Sequence, residues 1–234
     1  TLHRQPYLLQ SYETADHLLS PTRWQAATLP AFAWAKTTVI HDGIDTEAAA
    51  PSPPGKPTVL TYPDKNLRLT EGDEVLTYVS RNLEPYRGFH IFMRALPKVM
   101  AARPKAQVIV VGKNDSGYGN RPRSGRTWQD EMLAEVGDRL DLNRLHFIGW
   151  QTYPVLVNLF RVSRAHVYLT YPFVLSWSLL DAMSTGAMVI ASDTPPVREV
   201  ITDGRNGRLV GFFDVAGWAD AMIEALAAPE RSTA

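Results

Sequence analysis

From Glu74 onward, short unbroken apolar runs alternate with segments whose apolar residues recur at helical spacing. Val75 to Ser80 predicts a strand. Phe89, Phe92, Met93, Leu96, Val99 and Met100 then fall on one face of a helix. Val108 to Gly112 is continuously apolar, the mark of a strand buried on both faces. The rhythm continues with strands over Leu145 to Gly149, Ala165 to Leu169, Met188 to Ala191 and Arg208 to Val210. Helices are expected over Trp128 to Val136, Tyr153 to Phe160, Ser176 to Ser184 and Trp218 to Leu226. Strands of this length alternating with helices predict an α/β fold, a Rossmann-like parallel sheet with helices on both faces.

The first 50 residues read differently. Tyr7 to Ala15 has a weak helical pattern, and His17 to Ser20 and Val39 to Ile40 are short apolar pieces. Together they hold too little apolar surface for a core of their own. Pro51 to Pro57 predicts a stiff extended linker. Thr58 to Gly72 suggests a small hairpin or an irregular excursion. The expected division is therefore residues 1–50 and residues 51–234.

Composition narrows the function. Lys plus Arg is 24 and Asp plus Glu is 24, so the net charge is zero, which argues against a general nucleic-acid binder. Cysteine is absent, which removes thiol nucleophiles and Cys-ligated zinc and fits a reducing, cytoplasmic compartment. The most apolar stretch, Val167 to Met183, is broken by Thr170, Pro172, Ser176, Ser178 and Asp181, so no transmembrane segment is expected. The chain opens on Thr1 without a charged-then-apolar leader. A processed, truncated or excised chain is expected, with no signal peptide.

A parallel sheet binds its ligand at the carboxyl ends of its strands, where strand order reverses. The segments after the strands therefore carry the candidate chemistry. Arg81 and Arg87 flank a proline-containing loop, and Arg87-Gly88 precedes a helix. They form a diphosphate clamp, or they are two solvated surface arginines. Gly112 to Asn120 is a Gly-rich loop without the spacing of a dinucleotide fingerprint or a P-loop, read as a surface loop ahead of a phosphate cradle. Gly149-Trp150-Gln151 offers an aromatic ring and a backbone edge to a nucleobase, or a packed Trp. Ser176 or Ser178 can cap a helix, which leaves the amides of Val174 to Ser178 for an anion. Asp181 either faces the crevice, where it can accept both ribose hydroxyls of a nucleotide, or faces solvent. Glu199 is a second crevice carboxylate or a first-turn helix acid.

In order, Ser80-Arg81, Arg87-Gly88, Phe147-Ile148-Gly149, Leu180-Asp181-Ala182-Met183-Ser184-Thr185-Gly186 and Glu199 to Gly207 resemble the donor-binding half of the group 1 glycosyltransferases. These are retaining enzymes of GT-B architecture, and the resemblance covers about residues 39–228. The segment from Ser20 to Trp24 and from Val39 to Thr46 resembles the end of the family's first domain and its linker. The resemblance thus implies a remnant of the acceptor domain in residues 1–50 and a nucleotide-sugar-binding domain in residues 51–234.

It also implies roles. Arg81 and Arg87 match the basic pair on the donor diphosphate, with Arg for the commoner Lys at the second place. Asp181 matches the second Glu of the family's spaced pair, as ribose acceptor. Phe173 stands at the first Glu, so that residue's role does not transfer. Val174 and Leu175 match the backbone that meets the distal phosphate and sugar, and Glu199 matches an acid near the nucleotide. The implied reaction transfers a sugar from a nucleotide-diphosphate sugar, without a metal cofactor, to an unassigned sugar, lipid or protein acceptor. No Asp-x-Asp motif occurs in the chain.

The chain alone is expected to bind donor without transferring it. Its first 45 residues are expected to be mobile, docked on the sheet's flank, or self-associated through Trp24, Phe32 and Trp34. The complete protein is placed in the cytoplasm, peripheral membrane attachment being left open. A nucleotide-sugar epimerase of the same fold and a non-catalytic nucleotide-binding module remain as alternatives. A nicotinamide dehydrogenase is weaker, since no Gly-x-Gly-x-x-Gly follows a strand.

Overall fold

The computed structural model describes residues 5–115, 117 and 119–228. The chain forms ten strands, nine α-helices and three one-turn 3-10 helices among these residues. In the first part, α1 (Gln5–Thr14) is followed by β1 (Leu18–Ser20), α2 (Arg23–Ala26), α3 (Ala31–Trp34) and β2 (Thr37–Val39). A hairpin follows, of β3 (Val59–Tyr62) and β4 (Leu67–Thr70), paired antiparallel. The remainder is β5 (Val75–Asn82), α4 (Phe89–Ala102), β6 (Gln107–Lys113), α5 (Trp128–Val136), β7 (Leu145–Gly149), α6 (Tyr153–Val162), β8 (Ala165–Tyr168), α7 (Trp177–Ser184), β9 (Met188–Ser192), α8 (Pro195–Arg198), β10 (Arg208–Val210) and α9 (Val215–Ala227).

The main sheet has six strands in the order β10-β9-β8-β5-β6-β7, all parallel. The expected α/β fold with a parallel sheet is thus present. Side chains alternate between two cores. Leu76, Tyr78, Val108 and Val110 pack with Phe89, Phe92, Leu96, Trp218 and Met222 under α4 and α9. Val75, Ile109 and Val111 pack with Leu159 and Val162 of α6 and with Leu67 and Leu69 of the hairpin. Phe160, Leu179, Val189, Ala191 and Val197 close the same face further along, beneath α6 to α8. Burial on both faces is what makes these strands continuously apolar.

The chain runs outward from β5 to β6 and β7, then returns to place β8 on the other side of β5. Strand order therefore reverses between β5 and β8. The connections diverge there and leave a crevice above the sheet's carboxyl edge.

Residues 5–50 form no large core. Strands β1 and β2 pair with each other in a two-stranded parallel sheet. Phe32 and Trp34 are exposed, as expected, whereas Trp24 is half-buried. This segment is docked on the sheet domain: Arg161 of α6 donates to the carbonyls of Ala48 and Ala50 at 3.0 and 2.8 Å. No described helix is long and apolar enough to cross a membrane.

Candidate functional site

A cavity of about 810 Å³ lies over the crevice between β5 and β8. Arg81, Arg87, Val174, Leu175 and Asp181 line it together. Local irregularities aim the chain into it. Val79 pairs with Val111 and Asn82 with Lys113, so β5 carries one residue more than β6 at this end. Such a bulge turns a strand's last side chains out of the ladder, and here it delivers Ser80 and Arg81 to the cavity wall. A second extra residue lies between Phe147 and Gly149 of β7. Trp150 and Gln151 follow it into the lining. Trp150 is 65% exposed, so its ring is open to a partner and not packed in a core.

Arg87 ends a one-turn helix whose carbonyl end is closed by Gly88 in the left-handed conformation. Its carbonyl accepts from the buried Tyr78 hydroxyl at 2.6 Å. Its guanidinium donates to Thr170 Oγ1 at 3.4 Å and lies 5.0 Å from the centroid of the Phe173 ring. The cation thus sits on an aromatic face where the resembling family carries a carboxylate, which leaves its charge available to an anion.

The N-terminus of α7 faces the same cavity. Ser176 is its N-cap residue but makes no capping bond. Its hydroxyl pairs with that of Ser178 at 2.9 Å. Its amide is also engaged, donating to Tyr168 Oη at 3.0 Å, so the run of amides expected to be open is interrupted there. The amides of Val174, Leu175 and Trp177 have no acceptor among the described residues. The helix dipole and these donors favour an anion.

Asp181 faces the crevice and not solvent. It is 6% exposed, and the Tyr153 hydroxyl donates to its Oδ1 at 3.1 Å. Burial raises its pKa above the ordinary carboxylate value, and the Tyr153 hydrogen bond opposes that shift. Its second oxygen has no donor among the described residues and is left to accept from a ligand. Burial and the Asp181 charge together raise the pKa of Tyr153.

Glu199 is not in the cavity lining. Helix α8 is a single turn and Glu199 is its C-cap, not a first-turn acid. Its two carboxylate oxygens accept from the amides of Arg23 and Trp24 at 2.8 Å each, at the start of α2. The carboxylate therefore ties the N-terminal segment to the sheet domain. Hydrogen bonds to a charged group are worth about 1.5–3 kcal/mol. Glu199→Ala is expected to raise amide hydrogen exchange at Arg23 and Trp24 by about tenfold or more. Unchanged exchange there would show that these bonds do not form in solution.

Comparison with known proteins fits this geometry. The family described as Glycosyl transferases group 1 matches residues 73–228. The chain belongs to the group 1 glycosyltransferases. A second family, Glycosyl transferase family 4 group, matches residues 2–49. A phosphatidyl-myo-inositol mannosyltransferase of Mycolicibacterium smegmatis is 31% identical over 86% of this chain and 45% of its own length. A D-inositol 3-phosphate glycosyltransferase of Mycobacterium avium is 27% identical over 96% of this chain and 50% of its own. The chain thus spans about half the length of the curated relatives it matches. Anabaena HepE, solved in complex with UDP and glucose, shares the fold with a TM-score of 0.70 at 17% identity. That match covers 95% of this chain and 57% of the Anabaena chain.

Within this group 1 glycosyltransferase chain, Tyr153 and the segment from Asp42 to Asp45 are cavity residues that sequence reasoning does not single out. Tyr153 opens α6 and reaches Asp181 across 28 positions. Asp42 accepts from Trp177 Nε1 at 3.0 Å, across 135 positions. Asp42 to Asp45 close one wall of the cavity. The only local sign of that wall is the Asp42-Gly43 turn, with Gly43 at φ +80°. Of the Gly-rich loop after β6, Ser116 and Tyr118 lie outside the described residues. Gly119 donates its amide to the buried Glu84 at 2.7 Å, so this amide is turned inward and away from any phosphate.

Proposed function

We propose that this chain is the donor-binding part of a retaining glycosyltransferase that moves a sugar from a nucleotide-diphosphate sugar to an acceptor. The observation that carries it is the meeting of Arg81, Arg87, the α7 N-terminus and Asp181 in one cavity at the strand-order reversal. The diphosphate lies between Arg81 and Arg87, its distal phosphate toward the amides of Val174 and Leu175. Asp181 accepts from the ribose hydroxyls, oriented by Tyr153. The base lies along Trp150 and Gln151. Glu199 acts indirectly, through the Arg23–Trp24 segment that it holds.

Charge develops on the leaving diphosphate as its bond to the sugar breaks. The Arg87 guanidinium, held by Thr170 and Phe173, the exposed Arg81 guanidinium and oriented amides stabilise that charge where it forms, so on this reading they are the catalytic groups. This matches the metal-independent, configuration-retaining chemistry implied by the family resemblance. The absence of cysteine fits action in a reducing, cytoplasmic compartment. On this reading the acceptor groups belong to the further length that the relatives possess, and the chain alone binds donor without turnover. Acceptors like those for which the two mycobacterial relatives are named fall within this reading.

A thermal-shift and calorimetric series of nucleoside, nucleoside monophosphate and nucleoside diphosphate tests it. Stabilisation is expected to rise in that order, because the arginine pair addresses the diphosphate. At a hundredfold excess over Kd the diphosphate should add about 2.7 kcal/mol. Equal binding of nucleoside and nucleoside diphosphate would refute the clamp.

A further inference from the structure

The cavity does not end at the arginine pair. A second hollow of about 280 Å³ opens beside it, and Arg87 and Thr170 line both. Its remaining walls are Tyr86, Tyr171, Pro172 and Phe173. Tyr86 and Tyr171 meet edge to face with ring centroids 6.3 Å apart. The Tyr171 amide donates to the Tyr86 carbonyl at 2.9 Å, so backbone ties these two walls together. The Thr170 hydroxyl already donates to the Tyr171 carbonyl at 3.0 Å. Arg87 offers only donors. No carboxylate lines the hollow.

This inference rests on the proposed placement of the diphosphate on Arg81 and Arg87. Phe173 adjoins Val174 and Arg87 lines both cavities, so on that placement the sugar joined to the distal phosphate lies against this hollow. We infer that this hollow selects donor sugars carrying a methyl-ended substituent over their fully hydroxylated parents. The methyl is that of a 6-deoxyhexose or of an acetamido group. A sugar hydroxyl turned against Phe173, itself 42% exposed, or Pro172 meets carbon and gives up part of its hydration without replacement, which is unfavourable. A methyl group in the same place loses nothing polar and takes apolar surface out of water against an aromatic ring. Phe173 is thereby a specificity-determining residue, and Tyr86 and Tyr171 supply faces for the C–H side of the ring.

Calorimetry on the whole chain tests this. UDP and GDP are titrated first. UDP-glucose is then compared with UDP-6-deoxyglucose and UDP-N-acetylglucosamine, and GDP-mannose with GDP-6-deoxymannose. Each affinity is divided by that of the same protein for the matching nucleoside diphosphate, so any effect of a mutation on Arg87 cancels. At least one methyl-bearing donor is expected to bind about tenfold tighter than its parent, the low end of what one small apolar group discriminates in a pocket. The deoxy and acetamido arms tell the two methyl sources apart. Phe173→Asn, which puts an amide acceptor in the wall, should bring the ratio below about twofold, since the site then accommodates a hydroxyl. Equal affinity for parent and methyl-bearing donors, or a ratio that Phe173→Asn leaves intact, would overturn the inference while nucleoside diphosphate binding keeps the proposed function standing. Failure of both UDP and GDP to bind would overturn both.

Discussion

Gly88→Ala is expected to lower stability by several kcal/mol and to disturb the anion clamp at the same time. Gly88 joins the turn that carries Arg87 to the first turn of α4, at φ +65°. A side chain in that conformation costs about 1–3 kcal/mol. Space makes it worse. A Cβ on Gly88 would stand 1.7 Å from Cδ2 and 2.7 Å from Cγ of Leu169. Leu169 is 3% exposed, belongs to the core beneath α4 and α9, and lines the cavity as well. It has little room to yield, and overpacking of this kind adds about 1–3 kcal/mol. For a chain of this size the sum corresponds to a Tm lower by roughly 10 °C. Relief by movement of the turn would pull the Arg87 carbonyl off the Tyr78 hydroxyl and the guanidinium away from Thr170. Nucleoside diphosphate affinity should therefore fall in the folded fraction too. Gly204→Ala is the control, because Gly204 has φ +72° and nothing within 4 Å of an added Cβ. It should show only the backbone cost. Equal Tm losses for the two variants would mean that the close approach of Leu169 does not restrain Gly88.

The sheet was legible because its strands are buried on both faces, so Val108 to Val111 stand out as an apolar run. Strand order was not legible, since nothing local to β8 says that it returns to lie beside β5. Four-residue helices such as α2, α3 and α8 are too short to show a helical period. The sequence pattern ends β5 at Ser80, two residues early, because a bulge interrupts the strand there. The apolar pattern starts α9 at Trp218, three residues late. Its signal is Asp214, whose carboxylate caps the Gly217 amide at 2.8 Å. Arg81, Arg87 and Asp181 could be singled out because each lies at or beyond the carboxyl end of an apolar strand run and carries suitable chemistry, and Val174 and Leu175 because their amides precede a helix. The partners that complete the cavity, Tyr153 and Asp42, come from contacts between distant segments. For Glu199 the sequence offered only a carboxylate. Its engagement with Arg23 and Trp24 depends on how the N-terminal segment docks.

Asp181→Asn is expected to weaken nucleotide binding while making the unliganded protein more stable at neutral pH. The two effects share one cause. Burial raises the pKa of Asp181 above the ordinary 3.8. The fold therefore disfavours the ionised form, and the stability tied to this group is greatest when it is protonated at low pH. That stability is lost as pH rises through the folded-state value. At neutral pH the wild type carries a buried carboxylate with one hydrogen bond from Tyr153. Asparagine keeps an oxygen for the Tyr153 hydroxyl and removes the charge, so the unliganded Tm should rise. A ribose hydroxyl donating to a carboxylate is worth about 1.5–3 kcal/mol, so affinity should fall by about ten- to a hundredfold. The 2′,3′-dideoxy nucleotide should bind wild type about as poorly as the ribose nucleotide binds the variant. The pH profile supplies a separate readout. Wild-type affinity should decline on acidification as Asp181 protonates, beginning above the pH at which an exposed aspartate would, and the Asn variant should lack that limb. A variant that binds the ribose nucleotide as tightly as wild type, with the same pH profile, would remove Asp181 from the ribose site and leave its burial without a function.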